Sequence, residues 1–409
     1  MMWLSDIFFT GPARADKGIT YEQSRMFRGG IAISKKRFRL VLPLPMAMLM
    51  VLSVISGIVV DTVINIGTID WATKVGDFCL RCNGLGHCIA AYYWTDEIDR
   101  LSDIVDVWVS YRLLEEEGQK LKKECEQWME SFNYYFSNLM NFGQVGVMLL
   151  PFTKLLAGAE FSELYIFKMW SPLPTEHWWA TLIVYCYQIC TNWINFVIYE
   201  ALTGYVMCVS VIIGFQARLI GFSCTTLRDR AMELADRRQN RSINPVRWEE
   251  IYCSELDREL AYSARHYQQL YKNAKEMCRI FSGLVDLVFY SGMSIVIMFG
   301  LKVVTEKENQ VVLINAFLFV SLVIANQYVF TIINDSAINE ITALQYTLYD
   351  SPWYLLPPRS RKSVHIFQTM VRKMPTLSNV MGNHIDREMF LKVINSTYCY
   401  ISTLLSMDI

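Results

Sequence analysis

The string Cys79-x-x-Cys82-x4-His87 has the spacing of the first three ligands of a small zinc knuckle. In such a site thiolates and a neutral imidazole close a tetrahedron around the ion. The fourth knuckle position is Tyr92, which supplies neither thiolate nor imidazole, although Cys88 stands beside the histidine. A haem attachment motif would need histidine at position 83, where the chain has Asn83. The string lies in a hydrophobic stretch, a context in which cysteine behaves as a small apolar residue. Neither a metal nor a cofactor is therefore expected. The eleven cysteines are scattered, most of them in hydrophobic runs, and no disulfide framework can be read from them.

Catalytic constellations are missing as well. The five histidines (His87, His177, His266, His365 and His384) form neither paired His boxes nor an HExxH motif. There is no Gly-rich phosphate loop and no G-x-S-x-G nucleophile turn, the local geometries that phosphoryl and acyl transfer use. The chain does not read as an enzyme. With a net charge of −1 it shows no sign of a nucleic-acid partner.

The charges that remain lie in apolar surroundings. Asp77 and Arg81 are four residues apart on one hydrophobic span, which stacks them on one helical face where they can neutralise each other. Glu200 and Asp286 have no such neighbour nearby in sequence and are expected to face an aqueous or inter-helix surface. Aromatic and sulfur-bearing side chains crowd the same spans: Phe78; Met148 and Phe152; Trp178, Trp179, Ile183, Tyr185 and Tyr187; Phe289, Tyr290 and Met293. The adjacent tryptophans suit a membrane interface. Taken singly, the others serve core packing as readily as a binding pocket.

The elements that must position these residues are membrane helices. Hydrophobic residues make up 53% of the 409, charged residues only 19%. Seven candidate spans follow one another: Leu40–Val60, Val75–Trp94, Ser131–Thr153, Trp178–Phe215, Ile280–Leu301, Gln310–Asn334 and Met389–Ser406. The first is longer than a signal-peptide core and precedes no small-residue cleavage site. The fourth holds 38 residues broken only by Glu200, enough for two spans or for one helix that leaves the bilayer. Basic residues stay on the cytoplasmic side. Eight lie in 1–39, five in 95–130, eleven in Arg218–Lys275 and six in 335–388. One long fourth helix places all four groups inside; a split would push the eleven outside. The expectation is seven transmembrane helices, with the N-terminus cytoplasmic and the C-terminus outside.

Three of the inner segments carry apolar stripes at helical spacing. They are Glu97–Glu130, Arg218–Lys275 with a break near Asn240–Pro245, and Asp335–Lys373. Together they have surface enough for a small packed domain below the membrane. In the third, an amphipathic helix through Ile338, Ile341, Leu344 and Leu348 stops at Asp350-Ser351-Pro352-Trp353, because proline removes a donor and disfavours helix in the residue before it. A basic helix from Arg359 to Lys373, a stop at Pro375, a polar hinge at 381–387 and one last short span complete the chain.

This order of elements, with Leu348-Tyr349-Asp350-Ser351-Pro352-Trp353-Tyr354, then Leu356-Pro357, Arg361-Lys362 and the terminal Asn395-Ser396-Thr397-Tyr398-Cys399-Tyr400, resembles the C-terminal end of the insect odorant receptor family. The N-terminal two-thirds match in pattern more than in motif. The resemblance implies an all-α membrane protein with a cytoplasmic N-terminal segment at 1–39. It further implies transmembrane helices one to six with cytoplasmic extensions at 40–334, cytoplasmic anchor helices at 335–388 and a pore-lining seventh helix at 389–409. It implies an odorant-gated, non-selective cation channel in the plasma membrane of olfactory neurons, with a small volatile ligand and a shared co-receptor as partners in a tetramer.

Carried onto this sequence, the ligand would lie among the outer halves of the spans, near Phe78, Met148, Phe152, Ile183, Tyr187, Phe289, Tyr290 and Met293. The hydrophobic gate would fall on Ile401 and Leu405. On the last span, Ile394, Tyr398, Ile401 and Leu405 form one stripe, and Asn395, Cys399, Ser402 and Ser406 another beside it. Small polar groups next to a hydrophobic ring suit a water path closed by dewetting; a helix–helix interface held by small polar residues is the other reading. The co-receptor and the related gustatory receptors carry Gln where this chain has Leu404. That departure bears on whether this chain conducts alone. A gustatory-receptor-like channel and a G-protein-coupled chemoreceptor remain the alternatives. The second is opposed by the basic-residue distribution and by Arg228-Asp229-Arg230 following the fourth span, not the third.

Overall fold

The computed structural model describes residues 44–65, 71–94, 96–98, 100–101, 108–156, 158, 165–166, 169–174, 177–240, 247–305 and 310–406. Nine α-helices account for most of them: α1 Leu44–Ile64, α2 Trp71–Tyr93, α3 Glu115–Leu156, α4 Trp178–Thr225, α5 Leu227–Gln239, α6 Trp248–Thr305, α7 Gln310–Asp350, α8 Pro358–Val371 and α9 Arg387–Ser406. A 3₁₀ turn, Trp353–Leu355, joins α7 to α8. Among the described residues the only β pairing is an isolated bridge between Ser378 and His384.

Helix α4 is the axis of the bundle. Its 48 residues span about 72 Å at 1.5 Å per residue, more than twice a hydrocarbon core of about 30 Å. From Ile198 to Cys224 nearly every side chain is buried. The fourth hydrophobic run is thus one helix that continues past the membrane, as the basic residues required. Helix α7 lies parallel to it. Ser210 donates to Asn334 at 2.7 Å, Gly214 faces the Ala337 backbone and Gly221 faces Thr347 and Leu344. Small residues at those crossings let the two backbones approach.

Four helices are long and apolar enough to cross a membrane among the described residues: Pro45–Ile64, Trp178–Thr225, Trp248–Gly300 and the stretch from Ala316 through α7. The other three expected spans, on α2, α3 and α9, are helical but more polar. Lys74, Asp77 and Arg81 interrupt α2, and Lys392 with the Asn395–Thr397 run interrupts α9. Helices of this kind can sit in a membrane only when protein covers their polar faces.

Beyond the spans, the basic ends of the long helices pack on one another. Helix α3 starts at Glu115, well before the expected third span, and absorbs part of the charged segment. Likewise α7 continues without a break from the sixth span through the amphipathic stripe to Asp350, since nothing between Asn334 and Ser351 interrupts its hydrogen bonding. Ile341, Leu344, Leu348, Leu356, Val364 and Phe367 are buried in one core with α4, α5 and α6. Tyr267 donates to the Met370 carbonyl at 2.9 Å, Ser360 to Asp257 at 2.9 Å and Gln368 to the Leu348 carbonyl at 3.0 Å. The Ser-Pro-Trp break therefore turns α8 back against α6.

Candidate functional site

The eight residues named as ligand contacts fall into separate contacts in this structure. On α3, Phe152 packs edge-on against Tyr185 of α4 at 5.7 Å, and the Met148 carbonyl accepts the Tyr185 hydroxyl at 2.6 Å. Tyr185 is the aromatic that unites this pair. Tyr187 turns the other way, to α1, where its hydroxyl meets Ser53 and donates to the Met50 carbonyl. Phe289 is fully buried against Phe330 of α7 at 6.0 Å. Its neighbour Tyr290 is exposed, and its hydroxyl contacts the Met381 sulfur at 3.9 Å. Phe78 and Ile183 are exposed, and Met293 is half-buried.

The described residues 165–166 and 169–174, before α4, pack on this outer region. Trp170 donates its amide to the Gly57 carbonyl at 2.9 Å, and Ile166 donates to Gln188 Oε1 at 2.8 Å. Ile166 and Met169 then cover Val54, Ile58 and Tyr187.

What the aromatic pattern did not reveal is a buried polar seam where α2, α4 and α7 meet. Arg81, 2% exposed, donates from Nη1 to Asn192 Oδ1 at 2.9 Å, with Asp77 acting on it electrostatically one turn away. One turn further in, Asn195 presses on Gly84; a Cβ there would lie 2.7 Å from its Cγ. The next turn places the His87 ring 4.7 Å from Tyr199, and Asn326 of α7 donates to the Tyr199 hydroxyl. The signal was present in the sequence as Asn192, Asn195, Tyr199 and Thr203, polar groups spaced three and four apart within an otherwise apolar run.

The cysteine string resolves into this seam. His87 is fully buried, its Nδ1 at 2.8 Å from the Asn83 carbonyl, while Cys79 and Cys82 are half-buried and all eleven cysteines are free thiols. Among the described residues no three His, Cys, Asp or Glu side chains are grouped to hold a metal. Of the two carboxylates expected to face an aqueous or inter-helix surface, Glu200 is buried in α4. Asp286 accepts a hydrogen bond from the Val380 amide at 3.0 Å.

On the last helix, Asn395, Tyr398, Cys399, Ser402 and Ser406 are exposed, whereas Thr397 is buried. Ile401 is half-buried: a Cβ on Gly300 of α6 would come within 2.8 Å of its Cδ1. The Leu405 side chain lies outside those described.

This arrangement of helices has known counterparts. A sequence profile described as 7tm Odorant receptor matches residues 83–398, well over half of the chain. The chain belongs to the odorant receptor family. Its structure is similar to that of the insect olfactory receptor OR5 from Machilis hrabei, with a TM-score of 0.72 over 89% of this chain and 88% of that one. The same receptor in complex with eugenol aligns with a TM-score of 0.76 over 95% and 97%. Identity is 9% in both cases, so these matches establish the fold alone, a seven-span helical bundle. A comparison with curated protein sequences finds no match. The family is one of receptors, not of enzymes, and this odorant receptor is a multi-pass membrane protein.

Proposed function

We propose that this odorant receptor is the odorant-tuned subunit of a ligand-gated, non-selective cation channel that it forms with a shared co-receptor. The observation that carries the reading is the family match across residues 83–398, which includes α3 to α8 and the first part of α9. A small volatile organic compound is the ligand; the structural relative from Machilis hrabei has been solved with eugenol, a molecule of that class. The channel sits in the dendritic plasma membrane of olfactory neurons, with the N-terminus and the anchor helices of 335–388 on the cytoplasmic side.

Ligand contacts are assigned to the outer halves of the helices, where Met148, Phe152 and Tyr185 meet and where Tyr187 faces α1. Apolar walls with a few directed polar groups suit such ligands. Phe78, Ile183 and Met293 are assigned to the same outer region and Ile401 and Leu405 to the gate, whereas Phe289 and Tyr290 meet Phe330 and Met381 toward the cytoplasmic anchor. Binding opens the channel to the extent that the ligand prefers the open state.

The test is electrophysiological. Cells expressing this chain with the co-receptor should give odorant-evoked cation currents that cells expressing the co-receptor alone lack. Odorant currents identical with and without this chain would refute the assignment.

A further inference from the structure

Helix α9 carries charge inside a span that has no length to spare. Its 20 residues reach about 30 Å at 1.5 Å per residue, the thickness of a hydrocarbon core of about 30 Å. Lys392 is the sixth of them, about 8 Å in from the cytoplasmic end. Its Nζ donates to Glu388 Oε1 at 2.7 Å, and the two side chains are 72% and 74% exposed. The neighbouring Arg387 is held sideways, in an ion pair with Asp335 of α7 at 2.9 Å. Charges at membrane depth face protein or water, not lipid.

The pair continues a row. Glu388, Lys392, Asn395, Cys399, Ser402 and Ser406 follow one another by fours and threes, so they lie on one face of the helix, and all six are exposed. The packed face is on the far side. There Phe390 meets Tyr328 of α7 at 5.4 Å, Val393 packs on the core, Thr397 is buried and Ile401 fills the space beside Gly300 of α6. At 3.6 residues per turn, Thr397 is about 200° round from Asn395. A helix packed on a bundle and facing lipid turns apolar side chains outward. This one turns out an ion pair, an amide, a thiol and two hydroxyls.

We propose that Glu388 and Lys392, at the cytoplasmic end of this row, set the charge that permeating cations meet. A bare Lys392 ammonium would repel them; Glu388, bonded to it, cancels that field. In dilute salt a fixed charge about 10 Å from a cation in water changes its local concentration about twofold. At about 1 M the Debye length is about 3 Å and little of that effect is left. The inference rests on the channel reading and adds to it the residues that tune conductance.

The test is single-channel conductance of the intact heteromeric channel in inside-out patches. Odorant is present, and monovalent salt bathes the cytoplasmic face at about 0.01 M or about 1 M. In dilute salt, Lys392→Gln leaves the carboxylate bare and should raise outward cation conductance about twofold; Glu388→Gln leaves the ammonium bare and should lower it by about the same factor. The double substitution should return to the parent. Both single-variant differences should vanish in concentrated salt. A role in packing alone does not change sign with the charge that is left, nor fade with salt. Conductance is read per open channel, so a lower surface level does not spare the proposal. Where a variant yields no channels, the free thiol of Cys399 on the same row decides. A cationic, membrane-impermeant methanethiosulfonate on the cytoplasmic face should reduce odorant current in the parent, and Cys399→Ser should lose that component.

Equal conductance of both single variants and the parent in dilute salt would overturn the proposal. So would shifts of one sign in both, or shifts that persist in concentrated salt. An inert Cys399 would overturn it too, the row then being a dry contact against a neighbouring subunit. Absence of any odorant-evoked current from the parent with its co-receptor is a separate result, which sinks the channel reading itself.

Discussion

Asp286 Oδ2 accepts the Val380 backbone amide at 3.0 Å, tying the middle of α6 to the segment that leads into α9. The tie is one of three on the same helical row. Cys278 donates to the Thr376 carbonyl at 3.1 Å one end of it, and Tyr290 contacts the Met381 sulfur at the other. Positions 278, 286 and 290 are spaced by fours and eights, so they share a face of α6. A rail of this kind joins the middle of α6 to the entrance of the last helix.

Breaking the rail should alter the coupling of ligand to pore. A hydrogen bond to a charged acceptor contributes about 1.5–3 kcal/mol, so Asp286→Ala should shift the odorant dose–response curve by about tenfold or more. Asp286→Asn keeps an acceptor for the Val380 amide and should stay near the parent. The measurement is odorant half-maximal concentration at matched surface expression. Superimposable curves for Asp286→Ala and the parent would show that the tie is packing only.

Helix crossings offer a second check. Gly292 of α6 lies directly against Gln327 of α7, whose Nε2 donates to the Val288 and Phe289 carbonyls at 3.2 Å each. A methyl at 292 would displace that bridge. Overpacking of this kind costs about 1–3 kcal/mol, and Gly292→Ala should lower the melting temperature and the surface level. Gly146 and Gly283 have no atom within 4 Å of an added Cβ; alanine there should be neutral or stabilising by up to about 1 kcal/mol, since alanine favours helix. Melting temperatures of the three purified variants decide it, and equal losses in all three would refute the crossing argument.

How far the sequence foretold this structure depends on the kind of signal each part carries. The spans on α1, α4, α6 and α7 were legible because burial in lipid demands long apolar runs. Those on α2, α3 and α9 were legible as more polar runs between charged segments, and the single α4 because lysine and arginine resist crossing a membrane. The turn after Asp350 was legible in Ser351-Pro352-Trp353, since proline acts locally. Continuity of α7 through Asn334 was missed because a change from apolar to amphipathic composition does not break a helix. The polar seam escaped for another reason. Asn83, Asn195 and Asn326 lie on three different helices, and only the tertiary contacts at Gly84 and Tyr199 bring them to one place. Tyr187 and Tyr290 looked equivalent as aromatics, yet one faces α1 and the other the linker before α9; type alone does not fix the direction of a side chain.

The packed ends of the helices, outside the spans, carry a pH signature. The Tyr111 hydroxyl and His266 Nδ1 share a hydrogen bond of 2.8 Å, with Arg230 stacked 5.6 Å from the Tyr111 ring and ion-paired to Glu259. Burial pushes the His266 imidazole down to about 4 from its ordinary 6.5. An unfolded chain therefore binds a proton on His266 between those values while the folded one does not. Stability from this group is full above about pH 6.5 and is lost as pH falls toward 4. His266→Asn, which keeps an acceptor near the Nδ1 position, should flatten the decline of melting temperature between pH 6.5 and 4. An unchanged slope would mean that His266 does not set the acid response.

The gate gives the sharpest prediction, because the structure puts two roles in competition at one residue. Ile401 is half-buried and its Cδ1 nestles where Gly300 of α6 lacks a Cβ. The stripe beside it, Asn395, Cys399, Ser402 and Ser406, is exposed. If Ile401 contributes to a ring that closes the pore by excluding water, a polar replacement lowers the cost of wetting. Ile401→Ser should then raise the current seen without odorant, only partly if other subunits keep their apolar side chains. If Ile401 only packs against α6, the same change leaves a cavity costing about 2–5 kcal/mol, by analogy with truncation of buried aliphatics, and lowers surface expression with no leak. Gly300→Ala separates the two from the other side: it leaves Ile401 chemically intact but pushes it off α6 toward the exposed stripe, so a gating role predicts altered basal current here as well. Basal current per channel at the surface, measured for both substitutions beside the parent, is the readout. No change in that quantity for either variant would take Ile401 out of the gate and leave it as a packing residue of α9.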